Sequence, residues 1–233
     1  MTQNELKQLQ KLHMKKYRDE LGLFVAEGDK CIGELRGAFE LVHLLTPDNT
    51  PRKDIERLSS LRTPQGSIAV LRKPDHGQCP VPQPGTLYLA LDEVQDPGNL
   101  GTIIRTADWF GIRDIICSAN TADCFSPKVV QATMGSLARV RVHYTDLAQW
   151  LAAVSEPIYG TLLDGRSIYD AGAIPDRRSG VIVMGNEGNG LSAAVRRVVT
   201  HPLRIPSFPP DEPTNESLNV AIATAVILAE FRR

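Results

Sequence analysis

The stretch TLYLALDEVQDPGNLGTIIRTADWFG, residues 86–111, decides how this chain is read. Its first part, TLYLALDEV, is a near-continuous apolar run closed by acids, the pattern of a strand buried on both faces of a sheet. The second part predicts a helix over Asn99–Phe110. Ile103, Ile104, Ala107 and Phe110 form its buried stripe, and Gly111 supplies a left-handed stop. Asn99 stands where an N-cap belongs. Arg105 lies beside the stripe near the helix N-terminus, where the macrodipole disfavours a cation, so the helix itself gains nothing from it. An anionic ligand would change that balance.

The same alternation continues downstream. Strands are expected at DIICSA, ARVRVHY, IYGTLLDG, GVIVMG and HPLRIPS, and helices at Pro127–Leu137, Asp146–Ser155, Leu191–Val199 and Ser217–Arg232. Apolar strands separated by helices imply a parallel sheet covered on both faces. Ligands bind such sheets beyond the carboxyl ends of the strands. That rule singles out the loops after LALDEV, VIVM and LRIP.

Upstream, a smaller α/β block precedes this one. Leu6, Leu9, Leu12 and Tyr17 recur at helical spacing over Asn4–Leu21, followed by the strand LGLFVAEG, the helix DKCIGELRGA, the strand ELVHLLTP, the helix PRKDIERLSSLR and the strand GSIAVLRKP. Between the blocks runs PDHGQCPVPQPG, residues 74–85, whose proline density suits neither a helix nor a central strand. The expected organisation is therefore a small domain over 1–74, a proline-rich linker over 75–85 and a larger domain over 86–233.

A formal charge of −1 gives no global attraction for nucleic acid, so any such contact needs a local patch. Lys7, Lys11, Lys15, Lys16 and Arg18 offer one. The cysteines, Cys31, Cys79, Cys117 and Cys124, form no CxxC pair, and HGQC (His76–Cys79) lacks the second pair that a zinc tetrahedron needs. No metal is expected. With no secretory leader and no apolar run near the ~20 residues of a membrane helix, a cytoplasmic location is the default.

The second loop, MGNEGNGLS (Met184–Ser192), spaces its glycines as GxxGxG, which is neither the dinucleotide fingerprint nor a P-loop. Glu187 inside it would repel a phosphate, so a neutral or cationic ligand fits better. In the third, a proline-rich segment leads through Ser217, a good N-cap, into a helix apolar enough to be buried, with Asn219 in its first turn. An asparagine there needs hydrogen-bonding partners.

Taken together and in this order, the three loops resemble the SpoU (TrmH-like) RNA 2′-O-ribose methyltransferases of the SPOUT superfamily. The first motif matches at DPGNLGTIIRTADWFG, the second at VIVMGNEGNGLS and the third at SLNVAIATA, with SPKVVQATMGSLARVRVHY between them. FVAEGDKCIGEL, in the first block, is similar to the small substrate-binding domain that many members carry. The resemblance implies an α/β fold with a parallel sheet, helices on both faces and a C-terminal trefoil knot, preceded by a small α/β RNA-binding domain. It implies S-adenosylmethionine as methyl donor, a homodimer with the site near the subunit boundary, and RNA as partner. The two-domain layout leans toward ribosomal over transfer RNA. By position, Gly185, Ile205 and Leu218, with Asn186 and Gly188 of the same glycine turn, would meet the cofactor. Asn99, Arg105, Glu187, Ser217 and Asn219 would form the catalytic surround, Arg105 facing the developing alkoxide or its phosphate and Glu187 orienting Arg105 or neutralising it between turnovers.

One departure is the long link SFPPDEPTNE, which brings Asp211, Glu212 and Glu216 ahead of the third motif. Three other readings compete. A nicotinamide oxidoreductase would need a GxGxxG turn that the first loop lacks. A non-catalytic RNA-binding relative would have no need of the intact polar set. A methyltransferase acting on a base atom is disfavoured by the placement of Arg105 in the first motif.

Overall fold

The computed structural model describes residues 3–64, 66–209, 215 and 217–233, and the chain divides into two compact units. One holds the chain up to Asp75 together with Asp123–Arg139; the other holds His76–Ala122 with Val140–Arg233. Asp211, Glu212 and Glu216 lie outside the described residues.

The first unit begins with helices α1 (Gln3–Gln10) and α2 (Lys15–Leu21), joined by one 3-10 turn. The single helix expected over Asn4–Leu21 is thus broken, at Met14, whose backbone is extended. Strand β1 (Leu23–Glu27), α3 (Asp29–Leu35), β2 (Leu41–Leu45), α4 (Arg52–Leu58) and β3 (Ile68–Arg72) follow. Both outer strands pair antiparallel with β3, in the order β1-β3-β2. Leu6, Leu9 and Leu12 pack with Val25, Ile55, Leu58, Ile68 and Val70 as one core. Phe24, Phe39 and Phe125 form an aromatic cluster, which brings the 123–139 segment onto β1. Arg18 does not belong to the basic patch. It is 2% exposed, donates through Nε and Nη2 to Asp123 Oδ2 at 3.0 and 2.6 Å, and donates through Nη1 to the Leu12 carbonyl. A guanidinium so buried is tolerable only with this full set of acceptors. Lys7, Lys11, Lys15 and Lys16 remain exposed.

In the second unit the elements are β4 (Leu87–Leu91), α5 (Pro97–Trp109), β5 (Asp114–Ser118), β6 (Arg141–Thr145), α7 (Leu147–Ala152), β7 (Ile158–Ser167), β8 (Gly180–Met184), α8 (Ala193–Arg196), β9 (His201–Arg204) and α9 (Val220–Phe231); α6 (Pro127–Thr133) belongs to the first unit. All six strands are parallel, in the order β6-β5-β4-β8-β7-β9. Every residue of β4 and β8 is buried, which is why their sequences read as unbroken apolar runs. Tyr88, Ala90, Ile116, Val181 and Val183 meet Leu147, Leu151, Leu191 and Val195 in one core. Helices α5 and α9 pack on each other. From β4 the chain builds outward through β5 and β6, whereas β7 and β9 lie beyond β8 on the other side. The β4/β8 pair is therefore the topological switch point. No helix among the described residues is long and apolar enough to cross a membrane.

At the opposite, amino end of the sheet, Asp114 accepts from Arg141 Nε and Nη2 at 2.7 and 2.6 Å and from His143 Nε2 at 2.9 Å. Burial would raise its carboxyl, but these hydrogen bonds and charges outweigh burial and hold its pKa at about 2, below the ordinary 3.8. A depressed carboxylate stabilises the fold above its unfolded value, and the contribution is lost as pH falls from about 4 toward 2. Asp114→Asn is expected to lose about 2 kcal/mol at neutral pH. Urea titrations over acidic pH should show that the variant has lost this segment of the pH dependence.

Candidate active site

Helix α5 starts two residues earlier than expected, and its N-cap is Asp96 rather than Asn99. The Asp96 side chain accepts from the Asn99 backbone N–H at 2.8 Å, and Pro97 occupies the first helical turn. Proline costs nothing there, having no N–H to satisfy, and a carboxylate suits the positive end of the helix better than an amide does. Relieved of capping, the Asn99 side chain reaches across the site. Its Nδ2 donates to Glu187 Oε1 at 2.9 Å, and its Oδ1 accepts from Asn219 Nδ2 at 2.9 Å.

Asn219, not Ser217, caps α9, which begins at Val220. Its Oδ1 accepts from the N–H groups of Ala221 and Ile222 at 3.0 and 3.3 Å while its Nδ2 donates to Asn99. A serine could cap but lacks the length and the second nitrogen to reach Asn99; an aspartate could cap but has no proton to donate. The partners that Asn219 needs are thus a helix end and a neighbouring amide. Hydrogen bonds run in one direction, from the amides of α9 through Asn219 and Asn99 to the carboxylate of Glu187.

The glycine turn after β8 closes on itself. Asn186 and Gly190 exchange backbone hydrogen bonds at 2.9 and 3.0 Å. Asn186 Oδ1 accepts from the N–H groups of Gly188 and Asn189, and its Nδ2 donates to the Glu93 carbonyl at 2.8 Å. Its side chain is committed to building the turn. Gly185 is buried, and a Cβ on it would lie 2.4 Å from the carbonyl carbon of Gly190. Helix α8 starts two residues later than expected because Ser192 caps it, with Ser192 N–H donating to Asp92 Oδ2 at 2.7 Å.

The structure brings together Asn99, Glu187 and Asn219, and ties Asn186 to the loop after β4. It does not join the remaining expected residues to them. Arg105 is exposed on α5, about 9 Å along the axis from Asn99. It makes no hydrogen bond or ion pair with any described residue, and the Glu187 carboxylate is bonded by Asn99. Ser217 and Leu218 are exposed just ahead of the cap, outside any helix or strand, Ile205 is half-buried directly after β9, and Gly188 is exposed in the turn. Asp92, Glu93 and Asp96 were not among the expected site residues. The signal was present: Asp92, 3% exposed, ends an apolar strand, and a carboxylate buried there must have a donor. Among the described residues no group of three His, Cys, Asp or Glu could hold a metal.

Comparison with known proteins bears on this geometry. The profile of the SpoU rRNA Methylase family matches residues 86–229, and that of an MRM3-like substrate binding domain matches residues 3–50. The chain is 31% identical to the 23S rRNA (guanosine(2553)-2′-O)-methyltransferase RlmP of Bacillus subtilis, over 98% of this chain and 96% of that protein. Among solved structures it is similar to a TrmH-family structure from Porphyromonas gingivalis, with TM-score 0.90, 39% identity and 100% and 98% of the two chains covered. It is likewise similar to the AdoMet-bound rRNA methyltransferase of Sinorhizobium meliloti, with TM-score 0.85, 32% identity and 100% and 95% covered.

A methyl group at position 185 has no space, so Gly185→Ala is expected to displace the turn and cost about 1–3 kcal/mol. Thermal unfolding gives the loss, and faster amide exchange at Asn186 and Gly190 would locate it in the turn.

Proposed function

The chain belongs to the SpoU rRNA methylase family, and from that premise we propose that it methylates a ribose 2′-hydroxyl of RNA with S-adenosylmethionine, ribosomal RNA being favoured over transfer RNA. The observation that carries this reading is the convergence at the β4/β8 switch point. There the Glu187–Asn99–Asn219 chain joins three loops, and on the same helix as Asn99, about 9 Å further along, Arg105 stands without a partner among the described residues.

The residues present fit the donor. Around Gly185 the backbone comes as close as a glycine permits, and the turn presents backbone groups and no lysine, which suits a cationic sulfonium better than a phosphate. Gly185 with Asn186, Gly188, Ile205 and Leu218 would hold it, and when bound it supplies an electrophilic methyl group. Asn186 contributes by shaping the turn, since its side-chain groups are already engaged. Asn99, Glu187 and Asn219 keep the turn and the start of α9 in fixed relation, so the reactants are placed by a preorganised frame. Arg105, and Ser217 at the mouth, face the RNA. A guanidinium stays protonated at neutral pH and is a poor base. Arg105 therefore stabilises the oxygen that develops negative charge, or its phosphate, and the proton leaves to phosphate or water. At ~4 Å and an effective dielectric near 20 such a pair attracts by about 4 kcal/mol.

The finer features of the reading follow the same premise. A trefoil knot is supported by the placement of α9, which follows the edge strand β9 in the chain yet packs on α5, the helix that follows the central strand β4. A small RNA-binding domain over 1–74, a linker over 75–85 and a catalytic domain over 86–233 is supported by the two profile matches. Lys7, Lys11, Lys15 and Lys16 give the small domain a basic face for phosphate. A homodimer is supported by the apolar residues left exposed along α5 and at α9, Trp109 at 86% and Ile222 at 54%, with Leu218 just ahead of the cap. The cytoplasm, where such RNA is found, is the proposed location.

Arg105→Ala is expected to reduce methyl transfer about a thousandfold while leaving donor affinity within a few-fold. Labelled S-adenosylmethionine, with RNA from a strain lacking the gene, checks this. Nuclease digestion then distinguishes a 2′-O-methyl nucleoside from a base-methylated one, and turnover like that of the unaltered protein refutes the assignment. Ile222→Glu is expected to yield monomers in sedimentation velocity; an unchanged dimer would remove α9 from the interface.

A further inference from the structure

Glu93 carries a feature that the methyl-transfer reading does not use. Its φ is +59°, in the left-handed region that non-glycine residues seldom adopt. Three partners hold it there, one ending β5 and two from other loops. Its backbone N–H donates to Ser118 Oγ at 2.8 Å, its Oε1 accepts from Asn120 Nδ2 at 2.8 Å, and its carbonyl accepts from Asn186 Nδ2 at 2.8 Å. The turn after β5 that supplies Asn120 is itself anchored, Thr121 Oγ1 donating to the Leu91 carbonyl at 3.1 Å.

The geometry has a consequence for the glycine turn. The direction of the Glu93 carbonyl depends on the dihedrals of this residue, so leaving the left-handed region would swing the acceptor away from Asn186. The same Asn186 amide fixes the N–H groups of Gly188 and Asn189 through its oxygen. We infer that Glu93 is a positioning residue: clasped by Asn120, it holds the left-handed bend that aims its carbonyl at Asn186, and so sets where the donor-binding turn sits relative to the sheet. It touches neither donor nor RNA and acts through Asn186. The inference rests on the reading of that turn as the S-adenosylmethionine site.

The test is calorimetric titration of S-adenosylmethionine into the full-length protein and into Glu93→Ala, Glu93→Gln, Asn120→Ala and the Glu93→Ala/Asn120→Ala double variant, with steady-state kinetics alongside. Losing a hydrogen bond to a charged acceptor should raise Kd on the order of tenfold in Glu93→Ala, with KM for the donor rising in parallel and kcat falling much less. Glu93→Gln keeps the acceptor oxygen and should stay within about twofold of the unaltered protein. Asn120→Ala should reproduce the loss, and the double variant should be no weaker than the worse single one, because both remove one clasp. Equal weakening by Gln and Ala, independent effects of Glu93 and Asn120, or a loss confined to kcat would each overturn the inference. Donor binding by Glu93→Ala equal to that of the unaltered protein would overturn it alone. Failure of the unaltered protein to bind the donor would instead overturn the reading of the turn, and the inference with it.

Discussion

The candidate site depends on a directed chain of hydrogen bonds that begins at the N-terminal amides of α9 and ends on the carboxylate of Glu187. Each link uses a side-chain amide as donor and acceptor at once, which among short side chains only asparagine supplies with both ends in reach. The positive end of a helix and a carboxylate are the natural termini of such a chain, and aligned amides between them polarise one another. Individually these partly exposed bonds contribute about 0.5–1.5 kcal/mol each. Their larger effect is geometric. They tie together three loops that are distant in sequence, so that the turn after β8, the start of α5 and the start of α9 behave as one surface.

That surface exists because the sheet puts the loops there. A parallel sheet buried on both faces leaves its strand ends as the only places where backbone and polar side chains can gather, and at the β4/β8 switch point two neighbouring strands send their chains in opposite directions. Polar groups behind the turn satisfy one another: Asp92 with Ser192, and Glu93 with Asn120 and Asn186. Rigidity near the turn and openness at Arg105 are complementary. On the proposed reading, a methyl donor needs a shaped pocket, whereas a polynucleotide would bring its own charge to a guanidinium not already paired with any described residue.

The corrections to the sequence reading share one cause. Ser217 and Asn99 were expected as caps because local propensity favours them, and both helices chose a different residue, Asn219 and Asp96. In each case the observed cap leaves a second asparagine function available for a contact with a residue about 90–120 positions away. Arg18, read as part of a basic face, is buried because Asp123 arrives from the far side of β5 in the chain. No window of sequence contains that partner.

Periodicity and punctuation were enough to place most strands and helices, because burial on both faces forces apolar runs and turns demand glycine and proline, but not to show that Asp123–Arg139, inside the second block of the sequence, belongs to the first unit. The resemblance carried by the three motifs went further and indicated which chemistry. Tertiary structure alone decided which side chains speak to which: that Glu187 meets Asn99 and not Arg105, that Asn186 is spent on its own turn, and that Glu93 bends left-handed. Hydrogen bonds are short and directional, so their partners are chosen by how strands lie beside one another in space, and strand order is not written in the order of the chain.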